Sequence, residues 1–63
     1  MLRKLRKLKH LTQKQIAQRV GISTMSYKRY EYGEREPDAR TAIRIAQALG
    51  TTVEELWGGN LTA

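Results

Sequence analysis

Residues 13–32 of this 63-residue chain, QKQIAQRVGISTMSYKRYEY, carry its most specific structural signal. The first half of this stretch places Ile16, Ala17 and Val20 on one helical face, because residues three and four apart share a face. A second helix is predicted for residues 24–31, after a connection of only three residues. A connection this short cannot turn two helices antiparallel, so the pair is expected to cross steeply, as in a helix-turn-helix.

The turn and the two faces of the second helix in this stretch have distinct chemistry. Gly21 suits a left-handed helix end because it has no Cβ, and Ser23 is a favourable N-cap. The inward face is predicted to contain Tyr27, Tyr30 and Glu31. The outward face carries no carboxylate that would repel a polyanion, and its residues are Thr24, Met25, Ser26, Lys28 and Arg29.

Helical signals continue on both sides of the stretch. Before it, Leu2, Leu5 and Leu8 predict an amphipathic helix over residues 2–9. Thr12 and Gln15 have the spacing of a capping box at the start of the helix over residues 13–20.

After the stretch, Asp38 is expected to cap a fourth helix over residues 39–49, and Thr52 and Glu55 suggest another capping box before a short fifth helix. No segment shows the alternation of a strand. We therefore predict an all-α, five-helix domain over residues 1–58, followed by a flexible tail at residues 59–63.

Charge divides the chain into two unlike halves. The net charge is +6, and residues 1–30 contain nine basic residues and no acidic one. Residues 31–63 contain three basic and six acidic residues. This polarity directs the first half towards a polyanion, with nucleic acid as the first candidate and an anionic membrane as the second. A solvated basic face that merely aids solubility is the third interpretation.

Composition makes several classes of site improbable. The chain has no cysteine and one histidine, His10, so neither a zinc cluster nor a catalytic thiol is expected. Apolar residues never occur more than two in a row, which argues against a membrane span or a signal peptide. We expect a soluble cytoplasmic protein that is not an enzyme, with no catalytic residue, cofactor, metal or small-molecule ligand.

Short segments along the chain, in a fixed order and spacing, resemble one known family. They include Leu11-Thr12-Gln13, Ile16-Ala17, Val20-Gly21-Ile22-Ser23, Tyr30-Glu31-Tyr32-Gly33 and Ile45-Ala46-Gln47-Ala48-Leu49-Gly50. Together they resemble the Xre-type, lambda-repressor-like helix-turn-helix proteins, which include phage repressor and Cro proteins. The resemblance runs from Leu2 to about Trp57. It implies that the third helix lies in the major groove of double-stranded DNA and that a dimer binds a pseudo-palindrome.

The same resemblance assigns roles to individual positions. The positions expected to read base edges are Thr24, Met25 and Arg29. It places Gln13, Tyr32 and Arg35 at positions that contact the DNA backbone. Nearby candidates for contact with the backbone or with bases are Lys14, Ser26 and Lys28. Among the base-reading positions, only Arg29 presents two parallel donors that match the two acceptors of guanine. Met25 is apolar and suits the methyl group of thymine.

Two further expectations concern stability and assembly. Glu31 on an inward face needs a partner, because burying a lone carboxylate is costly, and the resemblance pairs it with Arg6. Reading a unique site requires two half-sites, so a homodimer is expected at least on DNA. Trp57 and Leu61 are candidates for its interface.

The sequence therefore favours a DNA-binding transcription regulator, most simply a repressor that occludes its operator on the nucleoid. A second interpretation is a protein-interaction module whose helix-turn-helix docks on a protein partner. An antitoxin or a restriction-modification controller is a variant that the sequence does not separate from these.

Overall fold

Five α-helices make up the architecture in the computed structural model, which describes residues 1–58. They are α1 (Leu2–Leu8), α2 (Gln13–Val20), α3 (Thr24–Glu31), α4 (Ala39–Leu49) and α5 (Val53–Trp57). No strand occurs among those residues, so the predicted all-α fold is confirmed. The helix α1 ends one residue before the predicted boundary. The predicted tail at residues 59–63, including Leu61, lies outside the described part of the chain.

The core is centred on α2, which packs most closely against α3 and α4. Ile16 of α2, Tyr27 of α3 and Ile45 of α4 are each 0% exposed. Ala17 is also buried, and its small side chain lets α3 approach α2 closely. The packing of α2 against α3 and α4 fixes the direction in which the outer side of α3 faces.

Side-chain caps begin four of the helices. Thr12 and Gln15 form the predicted capping box at α2, with bonds of 3.0 and 2.8 Å between each side chain and the other's backbone N–H. The predicted box at α5 is only half formed. Thr52 Oγ1 accepts from Glu55 N–H at 3.2 Å, but the Glu55 carboxylate accepts from the Thr51 hydroxyl at 2.7 Å. The Glu55 carboxylate is thus bonded to the Thr51 hydroxyl in place of the Thr52 backbone N–H that a complete capping box would use.

The sequence pattern of α1 was misleading at its third leucine. Leu2 is buried and Leu5 half-buried, but Leu8 is 67% exposed. Steps of three residues drift around a helix of 3.6 residues per turn, so Leu8 lies about 120° from Leu2. Arg6, four residues after Leu2, occupies the inward position instead and is 8% exposed.

Two residues with positive φ shape the connections around α2. Gly21 ends α2 at φ 85°, and its N–H donates to the Ala17 carbonyl at 2.9 Å. His10 has φ 58° between α1 and α2, a conformation that is uncommon outside glycine. Histidine is enriched several-fold among the few non-glycine residues with positive φ, but this preference is too weak to predict the conformation of His10 from the sequence. None of the helices within residues 1–58 is long and apolar enough to span a bilayer.

Candidate nucleic-acid interface

The outward side of α3 presents an apolar group beside a basic one. Met25 is 59% exposed and Arg29, one turn later, is exposed as well. Thr24 and Lys28 are half-buried at the borders of this surface. The one carboxylate of α3, Glu31, turns inward with its side chain only 1% exposed. The outward side of α3 is therefore free of negative charge from its own helix.

Ser26 belongs partly to the cap of α3. Its backbone N–H donates to Ser23 Oγ at 3.0 Å, and the Ser23 hydroxyl donates to Ser26 Oγ at 2.9 Å. The Ser26 hydroxyl thus accepts a bond within the helix terminus and retains its own hydrogen for an outside acceptor.

The other residues predicted to contact the DNA backbone lie at two places. Gln13 and Lys14 begin α2, where Gln13 is half-buried and Lys14 exposed. Tyr32 caps the end of α3 and is 60% exposed, and Arg35 is exposed in the following loop. The structure thus places these residues at the beginning of α2 and just beyond the end of α3.

The structure also brings Arg6 and Glu31 together. Arg6 Nε donates to Glu31 Oε2 at 2.9 Å and Nη2 donates to Oε1 at 3.0 Å, which makes the pair bidentate. Arg6 Nη1 donates to the Leu11 carbonyl at 2.8 Å. Gln13 Nε2 donates to Glu31 Oε1 at 3.1 Å. One carboxylate at the end of α3 is therefore bonded to the last turn of α1 and to the first residue of α2.

Burial and hydrogen bonding act in opposite directions on Glu31. Burial is the largest influence and acts to raise the pKa of Glu31, but the bonds and charge of Arg6, then the neighbouring Tyr27 hydroxyl and last Gln13, lower that pKa below its usual value. The bond to Glu31 raises the pKa of Arg6. Both groups are thus charged at neutral pH.

Tyr27 lies beside this pair with a buried hydroxyl. Burial, followed by the neighbouring Glu31, raises the pKa of Tyr27. The hydroxyl is therefore close enough to Glu31 for the carboxylate to influence its pKa. Among residues 1–58, however, no group forms a hydrogen bond of good geometry with it. A buried hydroxyl without a partner costs stability.

We expect Tyr27→Phe to leave the free energy of unfolding unchanged or to raise it by up to about 1 kcal/mol, because the substitution removes an unpaired buried hydroxyl. Urea unfolding of the variant and of Tyr30→Phe, a half-buried tyrosine on the same helix, measures the difference. A loss of more than about 1 kcal/mol for Tyr27→Phe would show that its hydroxyl bonds to Glu31 after all.

Acid is expected to destabilise the fold through Glu31. Because its folded-state pKa is lowered, its contribution is complete above the unfolded value of about 4.3 and is lost as pH falls through the folded pKa. Asp38, whose pKa is lowered by its bonds to Thr41, adds to the same acid loss. The urea concentration at the midpoint of unfolding, measured between about pH 2 and 7, should fall only when the pH drops below the usual pKa range of a glutamate. In Glu31→Gln this fall should be less steep. A loss that begins above about pH 5 would contradict the lowered pKa.

Exposed basic side chains also occur on α1 and α2. Residues 1–30 contain no acidic group, and the exposed basic residues among them are Arg3, Lys4, Lys7, Lys9, Lys14, Arg19 and Arg29. Within the described range, no group of three or more His, Cys, Asp or Glu side chains is placed to hold a metal ion. The site therefore offers positive charge and hydrogen-bond donors.

Two residues, Trp57 and Leu61, are predicted to lie at the interface between two copies of the chain. Trp57, the last residue of α5, is half-buried and packs against the core. Leu61 lies outside the described residues.

Comparison with known proteins places this geometry in a family. A family model described as helix-turn-helix matches residues 2–56. The chain is 43% identical over 58 residues to the uncharacterized HTH-type transcriptional regulator YqaE of Bacillus subtilis (strain 168), covering 92% of this chain and 50% of YqaE. It is 45% identical over 53 residues to the cryptic phage CTXphi transcriptional repressor RstR of Vibrio cholerae, covering 84% of this chain and 47% of RstR.

A third relative is the SPbeta prophage-derived uncharacterized HTH-type transcriptional regulator YonR of Bacillus subtilis, 34% identical over 58 residues. The chain spans about half the length of these three curated relatives. No solved structure matches it. The family match runs from the start of α1 into α5, and the resemblance found in the sequence is confirmed: the chain belongs to the lambda-repressor-like helix-turn-helix family.

Proposed function

We propose that this protein is a sequence-specific double-stranded DNA-binding transcription regulator that acts as a repressor. The observation that carries the proposal is the outward side of α3, where exposed Met25 and Arg29 stand on a helix whose only carboxylate is buried against Arg6. A major groove admits one α-helix and presents acceptors and methyl groups to it. The names of the relatives, one of them a transcriptional repressor, favour the same function.

The contacts divide into two kinds in this proposal. Thr24, Met25 and Arg29 read base edges, with Arg29 on guanine and Met25 on a thymine methyl. The DNA backbone is held by residues at the start of α2 and around α3, namely Gln13, Lys14, Ser26, Lys28, Tyr32 and Arg35. Such backbone contacts set the register of α3 in the groove and carry no sequence information themselves.

Repression in this proposal needs no chemistry. A dimer that covers a pseudo-palindromic operator blocks access of polymerase to the promoter, and it does so on the nucleoid in the cytoplasm. A single helix of eight residues contacts only a few base pairs, so two copies supply the remaining specificity. The accessible part of Trp57, together with Leu61, is proposed to contribute to the contact between the copies.

Binding as a dimer predicts a footprint of two half-sites whose centres lie about one helical turn, ~34 Å, apart. Hydroxyl-radical footprinting of the operator at saturating protein concentration measures this spacing. Trp57→Ala is expected to raise the protein concentration needed for half protection without moving the protected positions. Protection confined to one half-site at saturation would contradict the dimer.

Selection of bound duplexes from a random library tests the proposed function itself. The expected result is a short inverted repeat recovered in most independent clones. Recovery of duplexes with no shared motif would contradict sequence-specific binding and favour the alternative, a module that docks on a protein partner such as a toxin.

A further inference from the structure

We propose that Glu31 is a positioning residue for DNA binding, because it holds the Gln13 side-chain amide in the orientation that donates to a DNA phosphate. The proposal rests on the proposed function and adds a specific role to a residue that does not itself touch DNA. It is carried by the contact of Gln13 Nε2 with Glu31 Oε1 at 3.1 Å.

The chemistry of Glu31 fixes which end of the Gln13 amide faces it. An ionised carboxylate accepts hydrogen bonds and donates none, so it takes the NH₂ end of the amide and rejects the carbonyl end. Glu31 is ionised at neutral pH chiefly because the Arg6 guanidinium stabilises its charge. The NH₂ group carries two hydrogens, and one of them remains for a second acceptor. A phosphate oxygen is such an acceptor.

The position of Glu31 is fixed in its turn. Arg6 donates to both of its oxygens at 2.9 and 3.0 Å, and the third guanidinium nitrogen, Nη1, donates to the Leu11 carbonyl at 2.8 Å. The Glu31 side chain is 1% exposed, so solvent does not compete for these bonds. Gln13 is half-buried at the first position of α2. A side chain held in this way loses less conformational freedom when DNA binds.

A cycle of two substitutions tests the coupling. Glu31→Gln keeps the size of the side chain but replaces the carboxylate by an amide, which both accepts and donates hydrogen bonds. The Gln13 amide can then bond it through either end and is no longer held in one orientation. Affinity for the selected duplex is measured for wild type, Glu31→Gln, Gln13→Ala and the double variant, each corrected for its folded fraction by circular dichroism. Gln18→Ala is the matched control, since Gln18 is an exposed glutamine of the same helix.

We expect Gln13→Ala to weaken binding about fivefold on selected and random duplexes alike, because a phosphate contact carries no sequence information. Glu31→Gln should weaken binding about fivefold when Gln13 is present and hardly at all in the Gln13→Ala background. An equal loss in both backgrounds would show that Glu31 supports only the fold and would overturn the proposal. An unchanged affinity for Gln13→Ala would overturn it as well.

A second measurement needs neither DNA nor a folded variant. The side-chain amide resonances of Gln13 in the wild-type protein should shift with the titration of Glu31 in acid, while those of Gln18 should not follow it. A Gln13 amide that does not respond would overturn the orientation argument. If the wild type binds all duplexes equally but the Gln13 amide follows Glu31, the proposed function fails and the positioning contact stands.

Discussion

Arg6→Ala is expected to lower the free energy of unfolding by about 3–5 kcal/mol, the largest effect of any substitution considered for this chain. The reason is the carboxylate that remains. Glu31 would keep Gln13 as its donor in a pocket where its side chain is 1% exposed, and the Leu11 carbonyl would lose its donor. A domain of this size has a total stability of only about 3–9 kcal/mol, so the variant is expected to be largely unfolded near physiological temperature.

Urea unfolding at pH 7 measures this loss, with Glu31→Ala and the double variant beside it. Arg3→Ala is the matched control, because Arg3 is an exposed arginine of the same helix and its removal should cost less than about 0.5 kcal/mol. The double variant should lose less than the sum of the two single variants, since each single change strands a charge that the double change removes. Two mild and additive losses would contradict the pair as a stabilising element.

Arg29→Ala is expected to weaken binding to the selected operator by about 1–3 kcal/mol and to relax the preference for guanine at one position of each half-site. Arg29 is exposed on the outward side of α3, and its guanidinium presents two parallel donors to the two acceptors of guanine. Binding of the variant to a library with single base changes in the operator measures the preference directly.

Lys28→Ala separates base reading from simple charge. Lys28 directly precedes Arg29 in the chain and lies about 100° away from it around the helix. It is half-buried, and its ammonium is expected to contact a phosphate. Its removal should weaken binding to all sequences alike and lower the salt dependence by about one unit of slope. An unchanged base preference in Arg29→Ala, with uniformly weaker binding, would show that Arg29 also contacts only phosphate.

Most of the fold could be predicted because local signals agreed with one another. The caps Thr12, Ser23 and Asp38 each precede an apolar helical pattern, and the observed α2, α3 and α4 begin directly after them. The three-residue spacing of apolar residues along α1 was a less reliable guide to which of them are buried. Leu8 continued the spacing of α1 but faces solvent, because the drift of that spacing moves it off the buried face.

The site was predictable as a surface but not as a set of contacts. The outward residues of α3 followed from the helical period once Tyr27 was placed inside. The bond between Gln13 and Glu31 joins residues far apart in the chain, and spacing alone carries no signal for it. Glu31 could be expected to need a partner from its inward position, and only the resemblance pointed to Arg6. The half-formed cap at Glu55 likewise depends on whether its carboxylate accepts from the Thr52 backbone N–H or from the Thr51 hydroxyl, a choice for which the spacing carries no signal.

The most direct test of the account is the ratio of two affinities at physiological salt, one for the selected operator and one for a duplex of the same composition in shuffled order. Both are measured in a single competition titration with the wild-type protein. Base reading by α3 predicts a ratio of at least ~10³ in favour of the operator. Equal and weak affinities that fall steeply and in parallel with added salt would contradict it, because they would show that the basic surface binds the phosphate backbone alone.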